Sequence, residues 1–578
     1  VIRRRKLVAF ALSAAAIASS AATAGAAPAR PDGGASAAPA AQPGDASQEY
    51  VVAFEGGTDA GMAAVEQAQG TVVDVNEAAG VALVSAEGAG FLAEVRSQDG
   101  VAGAARNHAV GTSRPGMPHR FAAERPTSTD RAASSGRSEA ARRTARPGAG
   151  AEPLADRQWD MAMIGATPGG AHRTATGRGV DVGIIDTGID ASHPDLAPNF
   201  DDRRSRNFTM DIPSIDGPCE VSTCIDPANT DGGGHGSHVA GIVGAARNRF
   251  GIGGVAPDAT LVNLRAGQDS GYFFLYETVA ALTEAGNLGL DVVNMSFFTD
   301  PWWLNCASRD DYVSGTVSDE EIAQQALTRE LVLNAVTYAH DRGVTLVGSA
   351  GNEHTNLVSA TRSDAISPNF PAGAARPRTV TDNCLIVPNE APEVIATTSL
   401  GPSGTKSDFS NYGLGEVEIS APGGWFRDFA GTPDFQSPEN MVLSSYPLDV
   451  AIAEGLADES GNPVDEFSVR YCDRRGTCGF YTYLQGTSMA SPHVAGVAAL
   501  VVERHGERTR GGGRALDPDA VADILGRTAT DHPCPAGGTE VYTDEGRDPS
   551  WNAVCDGTTA ENGLYGEGVV SATAAVRR

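Results

Sequence analysis

Lysine is nearly missing from this chain of 578 residues: it occurs only at Lys6 and Lys406, so almost all of the 43 basic residues are arginine. A GC-rich coding sequence produces that bias, which therefore carries no functional message. Basic charge is also outnumbered in most of the chain. The first 150 residues are almost neutral, with 15 basic and 14 acidic residues, so residues 151–578 carry a net charge of −30. A body that acidic repels nucleic acid and anionic membrane surfaces, so neither is an expected partner. Beyond the first 26 residues no apolar run is long enough to span a bilayer as a helix. No two cysteines form a C-x-x-C pair, which argues against a zinc site.

What is present starts at the amino end. Val1-Ile2-Arg3-Arg4-Arg5-Lys6 precedes a small-apolar run from Leu7 to about Ala22 and an Ala-rich exit. A basic start, an apolar stretch of that length and an A-x-A pattern describe an export signal over residues 1–26, and hence a secreted, extracellular protein. The adjacent arginines fit general and twin-arginine export alike. Residues 27–48 are Ala, Pro, Gly and Ser with little else, a composition expected to be disordered. From Glu49 the pattern becomes strand (Tyr50–Phe54), helix (Asp59–Gln69), two strands (Thr71–Val75, Gly80–Val84), helix (Ala89–Ser97) and strand (Val101–Val110). This β-α-β-β-α-β order predicts a small ferredoxin-like α+β domain over residues 49–110. Residues 111–150 carry eight arginines among Ser, Ala, Gly and Pro, and are expected to be a basic flexible linker.

Eight cysteines in an exported chain predict disulfides. Cys219 with Cys224 and Cys472 with Cys478 are close enough to staple two loops. Cys534 with Cys555 would close a third, leaving Cys306 for Cys384. From Trp159 onward short apolar runs alternate with helical patterns. Strands are predicted at 180–185, 261–264, 290–295, 344–347, 394–397 and 417–419, and helices at 235–247, 275–285, 322–340 and 488–503. Alternation of this kind predicts an α/β fold, a parallel sheet with helices on both faces, over residues 151–578. In such sheets the site lies beyond the carboxyl ends of the strands, where Asp186 and Asn352 fall.

Three blocks carry the chemistry: Ile184-Ile185-Asp186-Thr187-Gly188-Ile189, Gly234-His235-Gly236-Ser237-His238-Val239-Ala240-Gly241 and Gly486-Thr487-Ser488-Met489-Ala490-Ser491-Pro492-His493. Each residue alone has a plain structural use, as a turn residue, a loop histidine or a helix cap. Together they supply an acid, a base and a hydroxyl nucleophile in the order Asp, His, Ser. At these residues the chain resembles the subtilisin-like serine peptidases, the subtilases. The resemblance covers about Gln158 to Val576, and the tail Gly566–Ala572 resembles the segment that usually ends their core.

The resemblance implies a subtilisin-like parallel sheet and a catalytic triad of Asp186, His235 and Ser488. It implies an oxyanion donor in Asn352, within Ser349-Ala350-Gly351-Asn352-Glu353. It places substrate backbone along Leu264–Gly271 and Asn294–Phe297, and gives the first specificity pocket walls of Ser296, Phe297, Phe298, Gly348, Ser349, Ala350 and Gly351. Relatives keep a small residue where this chain has Phe298. Either the phenyl ring narrows the pocket or the inserted loop Thr299–Glu320 moves its wall. Phe370-Pro371-Ala372 resembles a segment with a cis peptide near the same pocket. A second insertion spans about Trp425 to Tyr481. His238 and His493 match structural positions rather than metal ligands. The domain at 49–110 matches, in place and texture, the inhibitory propeptide of secreted subtilases.

The implied function is a secreted serine endopeptidase acting through an acyl-enzyme and made as a self-processed precursor. Its expected partners are protein or peptide substrates and its own propeptide, and a monomer is expected. No cofactor is required and no metal ligands are assigned: calcium is common in the family, but no acidic loop is specific enough to carry it. Within the same fold, a tripeptidyl aminopeptidase is the alternative. A catalytically silent binding scaffold is a poorer account, since it has no need of a complete triad and Asn352. An esterase is poorer still, since Gly486–Ala490 lacks the second glycine of the hydrolase elbow.

Overall fold

The computed structural model describes residues 48–107 except Ala89, and residues 152–577 except Ala372 and residues 510–512. The expected export signal, the Ala/Pro-rich segment up to residue 47 and the basic linker lie outside the described residues.

The amino-terminal part contains β1 (Gln48–Phe54), α1 (Thr58–Gln67), β2 (Thr71–Asn76), β3 (Val81–Ala86), α2 (Phe91–Val95) and β4 (Val101–Arg106). The strands form an antiparallel sheet in the order β2-β3-β1-β4. Its strands look continuously apolar because both faces are covered. Tyr50, Val52, Ala82, Val84 and Ala104 pack with Val65 of α1 and Phe91, Leu92 and Val95 of α2. The alternate residues Val51, Ala53, Val81, Leu83 and Ala105 face the other way, into a core shared with the large body. This sheet therefore docks on the rest of the molecule and does not stand apart from it.

The large body follows with α3 (Trp159–Ile164), β5 (Asp181–Ile185), β6 (Arg206–Asn207), α4 (His235–Gly244), β7 (Thr260–Arg265), α5 (Leu275–Leu288), β8 (Val292–Met295), β9 (Tyr312–Ser314), α6 (Asp319–His340), β10 (Thr345–Ser349), β11 (Thr361–Asp364), β12 (Arg378–Thr381), β13 (Val394–Leu400), β14 (Ile419–Pro422), β15 (Val442–Tyr446), α7 (Leu448–Ala453), β16 (Ser468–Cys472), β17 (Cys478–Leu484) and α8 (Thr487–His505). Seven strands form the central sheet in the order β14-β13-β10-β8-β5-β7-β6, and every pair is parallel. Helices α4 and α8 bury one face of it, with Val239, Ile242, Val494, Val497 and Val501 against Val182, Ile184 and Leu261. Helices α5 and α6 bury the other, with Val279, Leu282, Leu331 and Val336 against Val262, Val293 and Leu346.

Two regions differ from expectation. Helix α6 starts at Asp319, inside what the sequence suggests is a loop, because Ser318 and Glu321 form a reciprocal capping box. The region 425–481 is not one inserted loop: β15, β17 and β16 make a three-stranded antiparallel sheet, in the order β15-β17-β16, leading straight into α8. The four disulfides are the four expected pairs, Cys219–Cys224, Cys306–Cys384, Cys472–Cys478 and Cys534–Cys555. The Phe370–Pro371 peptide is cis. Among the described residues no helix is long and apolar enough to cross a membrane.

Candidate active site

Asp186 follows directly on β5, His235 opens α4 and Ser488 is the second residue of α8. All three are almost fully buried, at 0%, 1% and 4% exposure, in a site at the carboxyl end of the central strands. The Asp186 carboxylate accepts from the Thr187 N–H at 2.8 Å, and its Oδ1 lies 2.8 Å from His235 Nδ1. That contact orients the ring and leaves Nε2 as the atom able to take up a proton.

His235 is held from behind by a residue that sequence reasoning missed. Asp231 is buried, and its Oδ1 accepts from Thr187 Oγ1 (2.8 Å), Gly233 N (3.1 Å) and Gly234 N (2.8 Å). Its Oδ2 accepts from Ser237 N at 2.8 Å. Asp231 thus caps the helix that begins at His235 and ties it to the loop after Asp186. Burial raises its pKa, and the hydrogen bonds from Ser237 and Thr187 oppose that shift. The one available signal was an Asp four residues before a helix start. Gly234 adopts φ of 78°, and a Cβ there would lie 2.4 Å from the Tyr446 ring, so only glycine fits between the base and β15.

Around Ser488 the chain uses proline as well as serine. Pro492 has no N–H, so the Ser488 carbonyl four residues earlier has no helical donor from it. Ser296 Oγ donates to that carbonyl at 3.0 Å and lies 2.9 Å from Ser491 Oγ, while Asn294 Nδ2 donates to Ser296 Oγ at 2.9 Å. The Ser488 hydroxyl lies 3.4 Å from the Ser296 carbonyl, a long and weak contact. The end of β8 and the start of α8 are therefore laced together at Ser488.

Asn352 sits across from this lacing. Its Oδ1 accepts from Thr487 N and Thr487 Oγ1, both at 2.9 Å, and Thr487 Oγ1 accepts from Gly351 N at 3.0 Å. Anchoring the carbonyl end of the amide leaves the Nδ2 end as the donor. Asn411 clamps the same loop: its Nδ2 donates to Ala350 O, its Oδ1 accepts from Glu353 N and Thr355 N, and its own N–H donates to Gly351 O. Gly351, at φ of 100°, leaves room for Asn411 Nδ2, which a Cβ would meet at 2.4 Å. Thr487 and Asn411 are further residues that the motif reading passed over.

The expected pocket walls come together unevenly. Ser296, Gly348, Ser349, Ala350 and Gly351 border this lacing at the ends of β8 and β10. Phe298 is half-buried and packs against a buried cluster that contains Trp303, Leu304 and Cys306 of the inserted loop as well as Ala350. Phe297 turns inward and stacks on Phe273. Trp302 and Trp303 are buried, which makes the loop after Phe298 a packed wall. His238 and His493 serve packing: His238 Nε2 meets Thr482 O at 3.1 Å, and His493 Nε2 meets Asp160 Oδ2 at 2.9 Å.

A separate acidic cluster joins the loop before His235 to the end of β7. Asp211, Glu220, Asp226 and Asp269 each offer an oxygen, all within 4.8 Å of one another. Arg265 reaches Asp226 at 2.9 Å and Asp269 at 2.6 Å, and lies 3.7 Å from Asp211. Both Asp211 oxygens are buried without a hydrogen bond. Burial, then Asp226 nearby, pushes the Asp211 carboxyl up to about 6. Burial pushes Asp269 up to about 7 against the pull of Arg265.

Comparison with known proteins agrees with this geometry. Residues 177–566 match the model of the subtilase family. The chain is 28% identical to subtilisin DY of Bacillus licheniformis over 354 residues, covering 61% of this chain and 85% of that protein. It is 27% identical to thermitase of Thermoactinomyces vulgaris, over 57% of this chain and 77% of the relative. Among solved structures, the epidermin leader peptide processing serine protease of Staphylococcus aureus superposes with a TM-score of 0.58 at 18% identity, covering 92% of this chain and 98% of that one. Fervidolysin of Fervidobacterium pennivorans superposes with a TM-score of 0.52 at 20% identity, over 92% of this chain and 61% of its own.

Proposed function

Given that the chain belongs to the subtilase family and is a serine-type endopeptidase, we propose that Asp186, His235 and Ser488 are its catalytic triad. The observation that supports this reading is the buried Asp186–His235 contact of 2.8 Å, with His235 opening α4 and Ser488 in the first turn of α8, two helices that share one buried core. Ser488 Oγ attacks the scissile carbonyl while its proton passes to His235 Nε2. Asp186 holds Nδ1–H and stabilises the imidazolium. The oxyanion receives hydrogen bonds from the Ser488 N–H and Asn352 Nδ2. As the tetrahedral intermediate collapses, Nε2 returns the proton to the leaving amine and an acyl-enzyme remains. Water, activated by the same histidine, then releases the acid. Ser296 to Phe298 and Gly348 to Gly351 form the walls of the first pocket, with Phe298 reducing its width.

Residues 49–110 act, in this reading, as a ferredoxin-like inhibitory propeptide of a secreted precursor that cuts itself free. The support is where its chain leaves. Asn107, just after β4, accepts from Tyr276 N at 2.9 Å and donates to both Glu277 carboxylate oxygens at 3.0 and 3.1 Å. Those residues lie in the first turn of α5. The acidic cluster is where a structural calcium would be held. Asp211, with two buried oxygens lacking hydrogen bonds, and its carboxylate neighbours fit a hard, oxygen-seeking cation.

A fluorophosphonate probe on the mature enzyme tests the triad. Labelling at Ser488 that vanishes in Ser488→Ala and drops sharply in His235→Ala is expected; undiminished labelling of Ser488→Ala removes the assignment. Mass spectrometry of products from a random peptide pool separates internal cutting from the trimming of tripeptides.

A further inference from the structure

Two residues after Asn352 the backbone adopts a conformation uncommon for a residue with a side chain. His354 has φ of 53°, in the left-handed region that favours glycine. Residues 408–411 hold this turn from one side. His354 N donates to Phe409 O at 2.7 Å, and Glu353 N and Thr355 N donate to Asn411 Oδ1 at 3.1 and 2.8 Å. A side chain kept in such a conformation is fixed by what surrounds it.

Here the surroundings are rings, two of them from a distant part of the chain. Between centroids, Trp551 lies 5.0 Å from the His354 ring, Tyr412 5.7 Å and Tyr542 6.1 Å. Tyr542 and Trp551 both belong to the segment closed by the Cys534–Cys555 disulfide. His354 Nδ1 meets the Asp408 carbonyl, which can only accept, so Nδ1 carries the proton. Nε2 is buried and has no hydrogen-bond partner among the described residues. Burial, then Lys406 nearby, pushes the His354 ring down to about 4, so it is uncharged at neutral pH. The closed segment also grips the chain that His354 leans on. Arg547 Nε donates to the buried Asp408 carboxylate at 2.5 Å, and the Arg547 guanidinium lies 3.9 Å over the Trp551 ring. The Tyr542 hydroxyl donates to the Lys406 carbonyl at 3.0 Å.

We propose that the disulfide-closed segment 534–555 fixes the oxyanion donor Asn352, with His354 as the positioning residue between the two. The inference rests on the reading of Asn352 as that donor. Thr487 of α8 holds the carbonyl end of the Asn352 amide. The backbone of Asn352 belongs to the loop 350–355, and His354 is where that loop meets the rings. A loop released at this point would let the Nδ2 end drift from the place where the oxyanion forms. A misplacement of about 1 Å at a reacting centre costs about 10²-fold in rate, even when its cause lies far from the chemistry. His354 therefore acts through Asn352, and the carboxyl-terminal part of the chain contributes to catalysis without reaching the triad.

The test is steady-state hydrolysis of one fluorogenic peptide by His354→Gly, Trp551→Ala and Asn352→Ala, and by each of the first two combined with Asn352→Ala. Glycine suits the backbone at position 354, so His354→Gly removes the ring without straining the turn. His354→Gly and Trp551→Ala should each lower kcat by about tenfold or more while KM stays nearly constant. In the Asn352→Ala background each should lower kcat by less than about twofold, because the group they position is gone. Equal losses in the two backgrounds overturn the proposal, since they describe a general loss of structure. So does a loss confined to KM, or an unchanged kcat in both single variants. Where Trp551→Ala yields no folded enzyme, Trp551→Leu replaces it and is judged by the same outcomes. An unchanged kcat in Asn352→Ala alone removes the oxyanion reading itself, and this proposal with it.

Discussion

The two faces of the central sheet are covered in different ways. On one, every residue of α8 from Thr487 to Val502 is buried, and the helix has no polar stripe. On the other, α6 buries only a stripe that includes Leu327, Thr328, Leu331, Val332, Ala335, Val336 and Ala339. The outer side of that second layer is covered by the amino-terminal sheet, whose Gly103 faces Leu327. The second cover has an apolar centre and a polar rim: Asn76 to Thr283 at 2.6 Å, Arg106 to Glu320 at 3.4 Å, and Asn107 to Glu277. That is the anatomy of an interface between partners, whereas α8 has the anatomy of a core. Ser488 lies on the first side, and the sheet proposed above as a removable propeptide lies on the second.

The sharpest way to break this contrast is Ser488→Ala. Peptide hydrolysis should fall by about a thousandfold or more. Intact-mass spectrometry should show the amino-terminal sheet lost from the wild type and retained in the variant. If a protease-deficient host yields an identically shortened variant, another enzyme removes the cover. Next in size is Asn352→Ala. It should lower kcat by about 10² to 10³ with little change in KM, a magnitude carried over from a subtilisin's own oxyanion residue. An equal rise in KM would make Asn352 a ground-state contact.

On the removable side, Asn107→Ala deletes the bonds to Glu277 and Tyr276. The loss of buried hydrogen bonds should loosen the sheet by about 1–3 kcal/mol. Hydrogen exchange in the Ser488→Ala background should report it as faster exchange in β1 to β4 with α8 unchanged; equal acceleration in both layers would erase the distinction. The smallest effect concerns the acidic cluster. Asp211 and Asp269 keep their protons to about pH 6 and 7 when folded, while an unfolded aspartate releases its proton near ~4. Their contribution to stability is therefore greatest below ~4 and is lost as pH rises through 6 to 7. Calcium should raise Tm by more at about pH 8 than at about pH 5, and Asp211→Asn should flatten that difference. A calcium effect independent of pH would place the ion elsewhere.

The parallel sheet was legible because alternating apolar runs and helical periods depend on local spacing. The start of α6 was legible in principle, since Ser318-x-x-Glu321 is a capping signal, yet Asp319-Glu320-Glu321 looks like loop when charge alone is weighed. The three blocks placed Asp186, His235 and Ser488 in the chain, but their spacing gave no role to Asn411, or to Thr487 inside the third block. Those residues act through hydrogen bonds whose partners are distant in sequence, as with Asn411 and Ala350 or Thr487 and Asn352. The acidic cluster escaped notice because its four carboxylates come from a disulfide-closed loop, the segment beside it and the end of a strand.

The hairpin of β16 and β17 has one more consequence. Cys472 and Cys478 face each other in register and close a turn whose Arg474, Arg475, Gly476 and Thr477 are exposed. A peptidase at high concentration is surrounded by copies of itself, and an exposed turn is the first thing they digest. A nick between Arg474 and Arg475 would leave both new ends joined through sulfur, with β17 still paired to β15 and still leading into α8. The enzyme is thus built to survive wounds from its own kind where a single-thread loop would unravel towards the nucleophile.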